Sequence, residues 1–515
     1  MSTAAPKTEA VEGFDDASHG PGVWKYARAS RVRVIIDAAP YFEVMQQAMI
    51  RAERRILLIG WDFDSRIHLA FGRRWWQKGW RRDCPSRLGS FIPWLVRRNR
   101  SLEVRILKWS IGALNFLTRG TMLLDLLRWA PKRQIDFKFD TAHPVACSHH
   151  QKIVMIDASL AVCGGIDMTS RRWDTPEHPV HSDRRKQPHG HDDGPWHDAT
   201  MLLEGDVAAM LDALGRDRWV CAGGKPLAIL PPPGRSAWPE GLEAHFADVE
   251  VGIARTRPEY RGRREVREIE ELFVAHIARA KRFIYAESQY FASRAVSEAI
   301  CRRLAEEDPP EIVLVNPHRA EGWLEPLAMD TARAELLKAI GEVDRQGRFH
   351  LFTPWNGDTP IYVHAKIMIV DDEVLRIGSA NLNNRSMGLD SECDLFIDCA
   401  RPANRDCSAM IRKLRHQLLA EHCGLEEADV GGLLESGGSM AGMISALGDG
   451  RSRRLRPFEP PELDELGQAV AQSGILDPEK TDEIFEPFTK RRGLFQRGSL
   501  LDRAMQRFGR KREAE

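Results

Sequence analysis

The chain has 515 residues, 43% hydrophobic and 29% charged, which excludes a disordered or membrane-embedded protein and exceeds one ordinary core, so two large domains are expected. Lysine plus arginine and aspartate plus glutamate are balanced at 74 each, so no global positive field speaks for nucleic acid or an anionic surface. Nine cysteines without CxxC spacing fit neither a disulfide framework nor a zinc ribbon and read as ordinary buried thiols.

In chain order, residues 1–30 read as an N-terminal tail. They show no basic stretch followed by an apolar one, and no run nears the ~18 apolar residues of a membrane span, so a cytoplasmic or peripheral-membrane location is expected, with signal-independent export left open. AMIRAERRILLIGWDF (48–63) passes from a helical pattern into an apolar, strand-like run. RRWWQKGWRR (73–82) interleaves tryptophan with arginine, a composition suited to lipid headgroups or, equally, to a partly exposed structural segment. Arg97, Arg98 and Arg100 read as an exposed helix end.

SHHQKIVMID follows, with His150 and Lys152 two residues apart and therefore on one face of a strand. Asp157 has the opposite parity, beyond the apolar Ile153–Ile156, and is expected to anchor the motif. A glycine turn, GGID (164–167), comes next; such turns are expected to offer backbone N–H groups and a small polar side chain to an anionic oxygen. The segment 173–198 holds His178, His181, His189, His191 and His197 among aspartates. No pair has ligand spacing on a predicted helix, so no metal is assigned, and the segment reads as a solvated loop over a site mouth.

LPPPGRSAWPEG (230–241) is proline-rich and marks a linker over 230–244. HIARAKRFIYAESQYF (276–291) then repeats the helix-to-strand pattern of 48–63: Ala52 aligns with Ala280, Arg54 with Arg282 and Ile56 with Ile284, an offset of 228. HAKIMIVDD repeats the earlier motif as His364, Lys366 and Asp371, at an offset of 214, and GSAN (378–381) repeats the turn. Strand-like runs such as VRILKW, EIVLV and KIMIVDD alternate with helical ones. The expected fold class is α/β: two similar domains, 31–229 and 245–425, each with a mixed β-sheet flanked by helices. Residues 426–515 lack this rhythm and read as a C-terminal extension, in which GSLLDRAMQRFGRKR (498–512) places Leu501, Ala504, Met505 and Phe508 at helical spacing among basic residues.

Two HxKxxxxD copies suggest why a duplication is useful. Displacing an alcohol from a phosphodiester needs a nucleophile on one side of phosphorus and a proton donor on the other. Histidines from the two halves can supply both, while Lys152 and Lys366 neutralise the equatorial oxygens, so no metal or other cofactor is required for catalysis. Each imidazole needs an orienting partner; Asp174 in RRWD and Glu392 in LDSE are the expected ones.

These features resemble the phospholipase D superfamily. SHHQKIVMID with GGIDMTSRRWDT, GPWHD (194–198) with Arg218-Trp219, AESQYF (286–291) and IYVHAKIMIVDDEVLRIGSANLNNRSMGLDSE (361–392) are similar to the motif regions of its phosphatidylcholine-hydrolysing branch. The resemblance covers about residues 31–425. It implies a pseudo-twofold between the halves with the site at their interface, His150 as nucleophile, His364 as acid and base, and supporting roles for Gly165, Asp167, Ser379 and Asn381. Gly165 and Asp167 depart from the common GSxN and favour phospholipase over nuclease; Ser288 departs from the family's asparagine. The expected partner is phospholipid at a membrane surface, reached by a monomer through Arg73–Arg82 or the basic C-terminal helix, with no nucleic acid. The expected reaction is hydrolysis to phosphatidate and free alcohol, with transfer to another alcohol as a side reaction. Cardiolipin synthase-like phosphatidyl transfer uses the same residues, and a metal-independent nuclease is the alternative of another class.

Overall fold

The computed structural model describes residues 21–73, 83–109, 120–145, 147–185, 193–320, 325–448 and 450–459. Most of 73–82, the segment 498–512 expected to be helical, His189 and His191 lie outside them.

The strands are β1 (Lys25–Ile36), β2 (Arg55–Gly60), β3 (Glu103–Trp109), β4 (Ile135–Asp140), β5 (Ile153–Ile156), β6 (Leu160–Gly164), β7 (Trp196–His197), β8 (Ala199–Gly205), β9 (Phe246–Arg257), β10 (Val266–Arg267), β11 (Phe283–Glu287), β12 (Glu311–Val315), β13 (Phe349–Asn356), β14 (Thr359–Pro360), β15 (Tyr362–Val363), β16 (Ile367–Val370), β17 (Val374–Gly378), β18 (Glu392–Asp398) and β19 (Arg453–Pro457). Pairing in the first half runs β4-β3-β2-β5-β6-β8-β1. In the second it runs β13-β12-β11-β16-β17-β18-β9. The two series correspond strand for strand. In each, three parallel strands are followed by antiparallel ones, the mixed sheet expected from the sequence. The halves join where β1 pairs antiparallel with β9, Lys25 opposite Ile253.

The sheets are covered by helices, Ala38–Arg51 and Asp206–Cys221 in the first half and Glu268–Arg279 and Ser408–Cys423 in the second. The apolar runs of the motif strands, Ile153–Ile156 and Ile367–Val370, are buried throughout, as strands covered on both faces should be. Core clusters on either face collect Leu57, Met155 and Met201 with Tyr285, Ile369 and Leu395, so one core continues across the junction.

Two boundaries move. Residues 25–30 belong to β1 rather than to a tail. Residues 427–457 form the helices Glu427–Gly437 and Met440–Leu447 and the strand β19, antiparallel to β13, so this part of the extension completes the second sheet. All nine cysteines are free thiols. The helix Leu88–Arg98 ends in exposed Arg97 and Arg98, as read from sequence. Among the described residues no helix is long and apolar enough to cross a membrane.

Candidate active site

Asp157 and Asp371 explain how each motif is held. Asp157 accepts backbone N–H bonds from Glu53 (2.7 Å), Arg54 (2.7 Å) and Arg55 (2.8 Å). Asp371 accepts them from Lys281 (2.7 Å), Arg282 (2.8 Å) and Phe283 (2.9 Å). Each carboxylate thus ties its motif to the entry of a neighbouring strand, β2 or β11, at positions related by the 228-residue repeat. Both aspartates sit at positive φ, 53° and 56°, a region aspartate tolerates better than most residues.

The histidines are oriented across the domain junction. A parallel bridge sets His149 beside Ser391, with His150 N–H donating to the Ser391 carbonyl at 2.9 Å. That register carries Glu392, from the second half, onto His150 Nδ1 at 3.0 Å. In the pseudo-equivalent arrangement β7 pairs parallel with β15, His364 N–H donates to the His197 carbonyl at 2.8 Å, and Asp198 from the first half lies 2.7 Å from His364 Nδ1. Each imidazole therefore presents its Nε2 to the site and directs Nδ1 to a carboxylate of the opposite half. Glu392 is fixed further by the hydroxyls of Ser379 and Ser386, the latter at 2.8 Å.

Asp174 does not hold a catalytic-motif histidine. Its oxygens accept from His178 Nδ1 (3.0 Å), Arg185 (2.7 Å) and the Trp196 N–H (2.7 Å), which pins the β7 segment. The partner of His364 is Asp198, and the sequence contained a signal for it. DATMLL and ECDLFI both put an acid at the mouth of an apolar strand, β8 or β18, and these strands are pseudo-equivalent.

Lys152 donates to the His150 carbonyl at 2.8 Å and lies 3.6 Å from Asp167. Lys366 donates to the His364 carbonyl and approaches Gln289 Oε1 at 3.5 Å. The glycine turns play a different part from the one expected. Gly165 N–H is taken by the Ala199 carbonyl (2.8 Å), Gly378 N–H by that of Lys366 (3.2 Å) and Ser379 N–H by Asp394 (2.9 Å). A Cβ on Gly165 would stand 2.0 Å from Asp198 Oδ1, so this glycine is needed to let the carboxylate reach His364. Asn381 reaches Gln289 at 3.4 Å, which ties the second turn to AESQYF. Ser288 Oγ accepts from Leu382 N–H at 3.1 Å.

Electrostatically the site is a buried concentration of cations. Burial, then Lys152 and Lys366, hold the His150 pKa well below the usual imidazole value. Burial, Lys366 and Arg172 do the same for His364. Burial lowers Lys366 to about 7, against the opposing pull of Asp198. Burial raises Asp167 to about 6, opposed by Lys152, and raises Glu392. Aromatic walls flank both imidazoles. Trp61, stacked on Trp109, is edge-on to His150 at 6.4 Å, and Trp196, stacked on Tyr362 and covered by Arg172, lies 5.1 Å from His364.

The sequence segment 173–198 does not form a wholly solvated loop. His178 and His197 are fully buried, while His181 is exposed. AESQYF contributes below the site, where Glu287 meets His197 Nε2 at 2.7 Å.

The family model for phospholipase D matches residues 115–231 and 353–443, which hold both motifs. Among curated proteins the chain is similar to phospholipase D alpha 1 of Zea mays (27% identical), Ricinus communis (26%) and Arabidopsis thaliana (26%), in each case over 54% of this chain and 49% of the relative. The chain thus spans about half the length of the curated relatives it matches. Among solved structures, phosphatidylserine synthase of Haemophilus influenzae aligns with a TM-score of 0.49 at 14% identity, over 75% of this chain and 86% of that one. Both motif copies lie inside the family match and the strand plan is repeated about the β1–β9 junction, and in these respects the chain is similar to the phospholipase D superfamily.

Proposed function

We propose that the protein is a phospholipase D that cleaves the distal phosphodiester bond of glycerophospholipids, giving phosphatidate and the free headgroup alcohol through a phosphohistidine. The observation that carries this reading is the reciprocal arrangement of two imidazoles, each held through Nδ1 by a carboxylate of the other half and each followed two residues later by a lysine.

In this reading His150 Nε2 attacks phosphorus. Burial and the two lysines favour its neutral form, and Glu392 keeps the remaining proton on Nδ1, so the Nε2 lone pair faces outward. As the bond to the headgroup oxygen breaks, His364 gives that oxygen a proton from Nε2. An anionic phosphodiester beside His364 opposes the cations that depress its pKa, so substrate binding itself favours the protonated acid. His364 then takes a proton from water, whose oxygen displaces His150 from phosphorus. An alcohol in place of water gives transphosphatidylation. Lys152 and Lys366, now held on backbone carbonyls, turn to the phosphoryl oxygens where charge develops. No metal or other cofactor takes part in these steps. His150 is assigned as nucleophile by resemblance, and it is also the more open imidazole, with 13% of its side chain exposed against 5% for His364.

The substrate is taken to be a lipid because the matched relatives are phospholipases D and because the first turn carries Gly165 and Asp167. The protein is expected to meet it at a membrane surface as a monomer. Mass spectrometry of products from a mixed phospholipid extract, with and without ethanol, tests this. Phosphatidate, replaced in part by phosphatidylethanol, is expected from the wild type and neither from His150→Ala. Products unchanged in that variant, or cleavage of plasmid DNA in preference to lipid, would overturn it.

A further inference from the structure

On the leaving-group side of the site stands a cation that the phosphoryl chemistry leaves unused. Arg172, in the SRRWD segment after the first glycine turn, is 8% exposed. Its guanidinium lies 3.9 Å from the ring centre of Trp196, whose ring in turn lies 5.1 Å from His364. Arg172 is among the charges that chiefly hold down the His364 pKa and is not among those that chiefly act on His150. It therefore belongs to the half of the site from which, in the proposed reaction, the headgroup oxygen departs.

Arg172 is exceptional in its lack of a counter-ion. The other seven buried arginines among the described residues each form an ion pair with a carboxylate, as Arg55 does with Asp212 at 3.1 Å and Arg255 with Glu268 at 2.8 Å. Among the described residues no carboxylate forms such a pair with Arg172, and its buried Nε makes no hydrogen bond. An unpaired buried charge is costly, and a bound counter-ion would relieve it. The indole Nε1 of Trp196, the ring that Arg172 covers, is likewise buried without a hydrogen bond. Two donors that lack acceptors define a place for an oxyanion.

The scissile phosphodiester is a poor candidate for that oxyanion, since it carries one negative charge and Lys152 and Lys366 already serve it. The aromatic wall points to the headgroup instead. An open aromatic face can hold the quaternary ammonium of choline. Trp196 has none to offer: Tyr362 stacks on it at 4.5 Å between ring centres, and Arg172 covers the other face. A cationic headgroup brought there would meet a cation.

We propose that Arg172 is a specificity-determining residue that receives an oxyanion of the leaving headgroup, so that the enzyme prefers acidic glycerophospholipids, whose headgroup carries a carboxylate or a second phosphate, over phosphatidylcholine. The inference rests on the proposed phospholipase D reaction and adds its substrate class. A guanidinium meets either oxyanion through two parallel N–H donors, and the stack on Trp196 sets the plane of that fork. The contact makes or breaks no covalent bond; it orients the headgroup so that its bridging oxygen faces His364.

The test compares kcat/KM for phosphatidate release from short-chain phosphatidylserine, diphosphatidylglycerol and phosphatidylcholine. The wild type is expected to favour an acidic headgroup over choline by about ten- to a hundredfold; preference for the serine lipid identifies a carboxylate as the occupant, and preference for diphosphatidylglycerol a phosphate. In Arg172→Gln the ratio of acidic lipid to choline lipid should fall at least about tenfold, and in Arg172→Lys, which keeps the charge and loses the fork, by less. A further arm needs no variant that has to fold: glycerophosphoserine should inhibit the wild type about tenfold more tightly than glycerophosphocholine. Equal turnover of all three lipids, a preference for choline, or an unchanged ratio in Arg172→Gln however far both rates fall would overturn the inference and leave the phospholipase D reading standing. No phosphatidate from any of the three would overturn both.

Discussion

Replacing Asp371 by asparagine separates anchoring from chemistry. Asparagine accepts the left-handed backbone at φ 56° about as well as aspartate, so the substitution adds little strain. The amide oxygen can still accept from Arg282 and Phe283, but the amide nitrogen must face the Lys281 N–H, which now meets Oδ2 at 2.7 Å. One charge-assisted bond is lost and two are weakened, and a donor is left facing a donor in a residue only 5% exposed. Together these should cost about 3–5 kcal/mol. Asp157→Asn meets the same geometry at Glu53, Arg54 and Arg55, and the two costs should agree within about 1 kcal/mol. Urea unfolding followed by tryptophan fluorescence would report the loss, with a midpoint lowered by about 0.5–1 M, since m for a chain of this size exceeds that of a small domain. Turnover per folded molecule should stay within about tenfold of wild type, because neither carboxylate faces the phosphate position in this account. An unchanged midpoint with turnover reduced a hundredfold or more would refute the anchoring argument and move these aspartates into the chemistry.

Other outcomes follow from the same geometry. Glu392→Gln and Asp198→Asn should each lower kcat by about 10²–10⁴ with KM little changed, since an amide can stabilise the wrong tautomer, whereas Asp174→Asn should lower the melting temperature and leave kcat within about tenfold; a kcat collapse in Asp174→Asn alone would reverse the assignment. Inhibition by tungstate, read as Ki against pH, should be strongest below about 7 and weaken about tenfold per unit above it, because Lys366 titrates at about 7 in the free site and a bound dianion holds its proton; Lys366→Arg should flatten the profile, and a flat wild-type profile would contradict it. Asp167 has its pKa raised from 3.8 to about 6, so the folded state favours the proton and loses stability as pH rises through that interval. Asp167→Asn should therefore gain on wild type by about 2 kcal/mol between pH 4 and pH 7, measured by urea unfolding at both pH values; no relative gain would show that Lys152 already compensates the charge.

The parts of the fold that rest on local pattern were legible before any coordinates. The two offsets, 228 for Ala52 and Ala280 and 214 for the motifs, describe the same repeat that places Asp157 on Glu53–Arg55 and Asp371 on Lys281–Phe283. The opposite parity of the aspartates announced their separation from His150 and His364. What the sequence hid was register between the halves. Whether Glu392 meets His364 or His150 depends on the bridge from His149 to Ser391 and on the pairing of β7 with β15, contacts between segments more than 150 residues apart that no periodicity records. The turn glycines misled for a related reason: their amides look available in one strand and are taken by the next. β19 was missed because RRLRP is a charged edge strand with one buried residue, and the burial of His178 and His197 because a segment rich in charge reads as solvated when its partners, Glu287 and Glu421, lie in the other half.

The central claim, one site built from both halves with a phosphohistidine intermediate, is tested most directly by trapping that intermediate. His364→Ala retains the nucleophile but lacks the group that protonates the leaving oxygen and activates water, so the trap uses a short-chain phosphatidyl p-nitrophenyl ester, whose leaving group needs no proton. After brief reaction and neutral proteolysis, peptide mass spectrometry should find the phosphatidyl adduct on His150 and none on the same peptide of a His150→Ala, His364→Ala double variant. An adduct on another residue, or single-turnover release of choline by His150→Ala at the wild-type rate, would contradict the account.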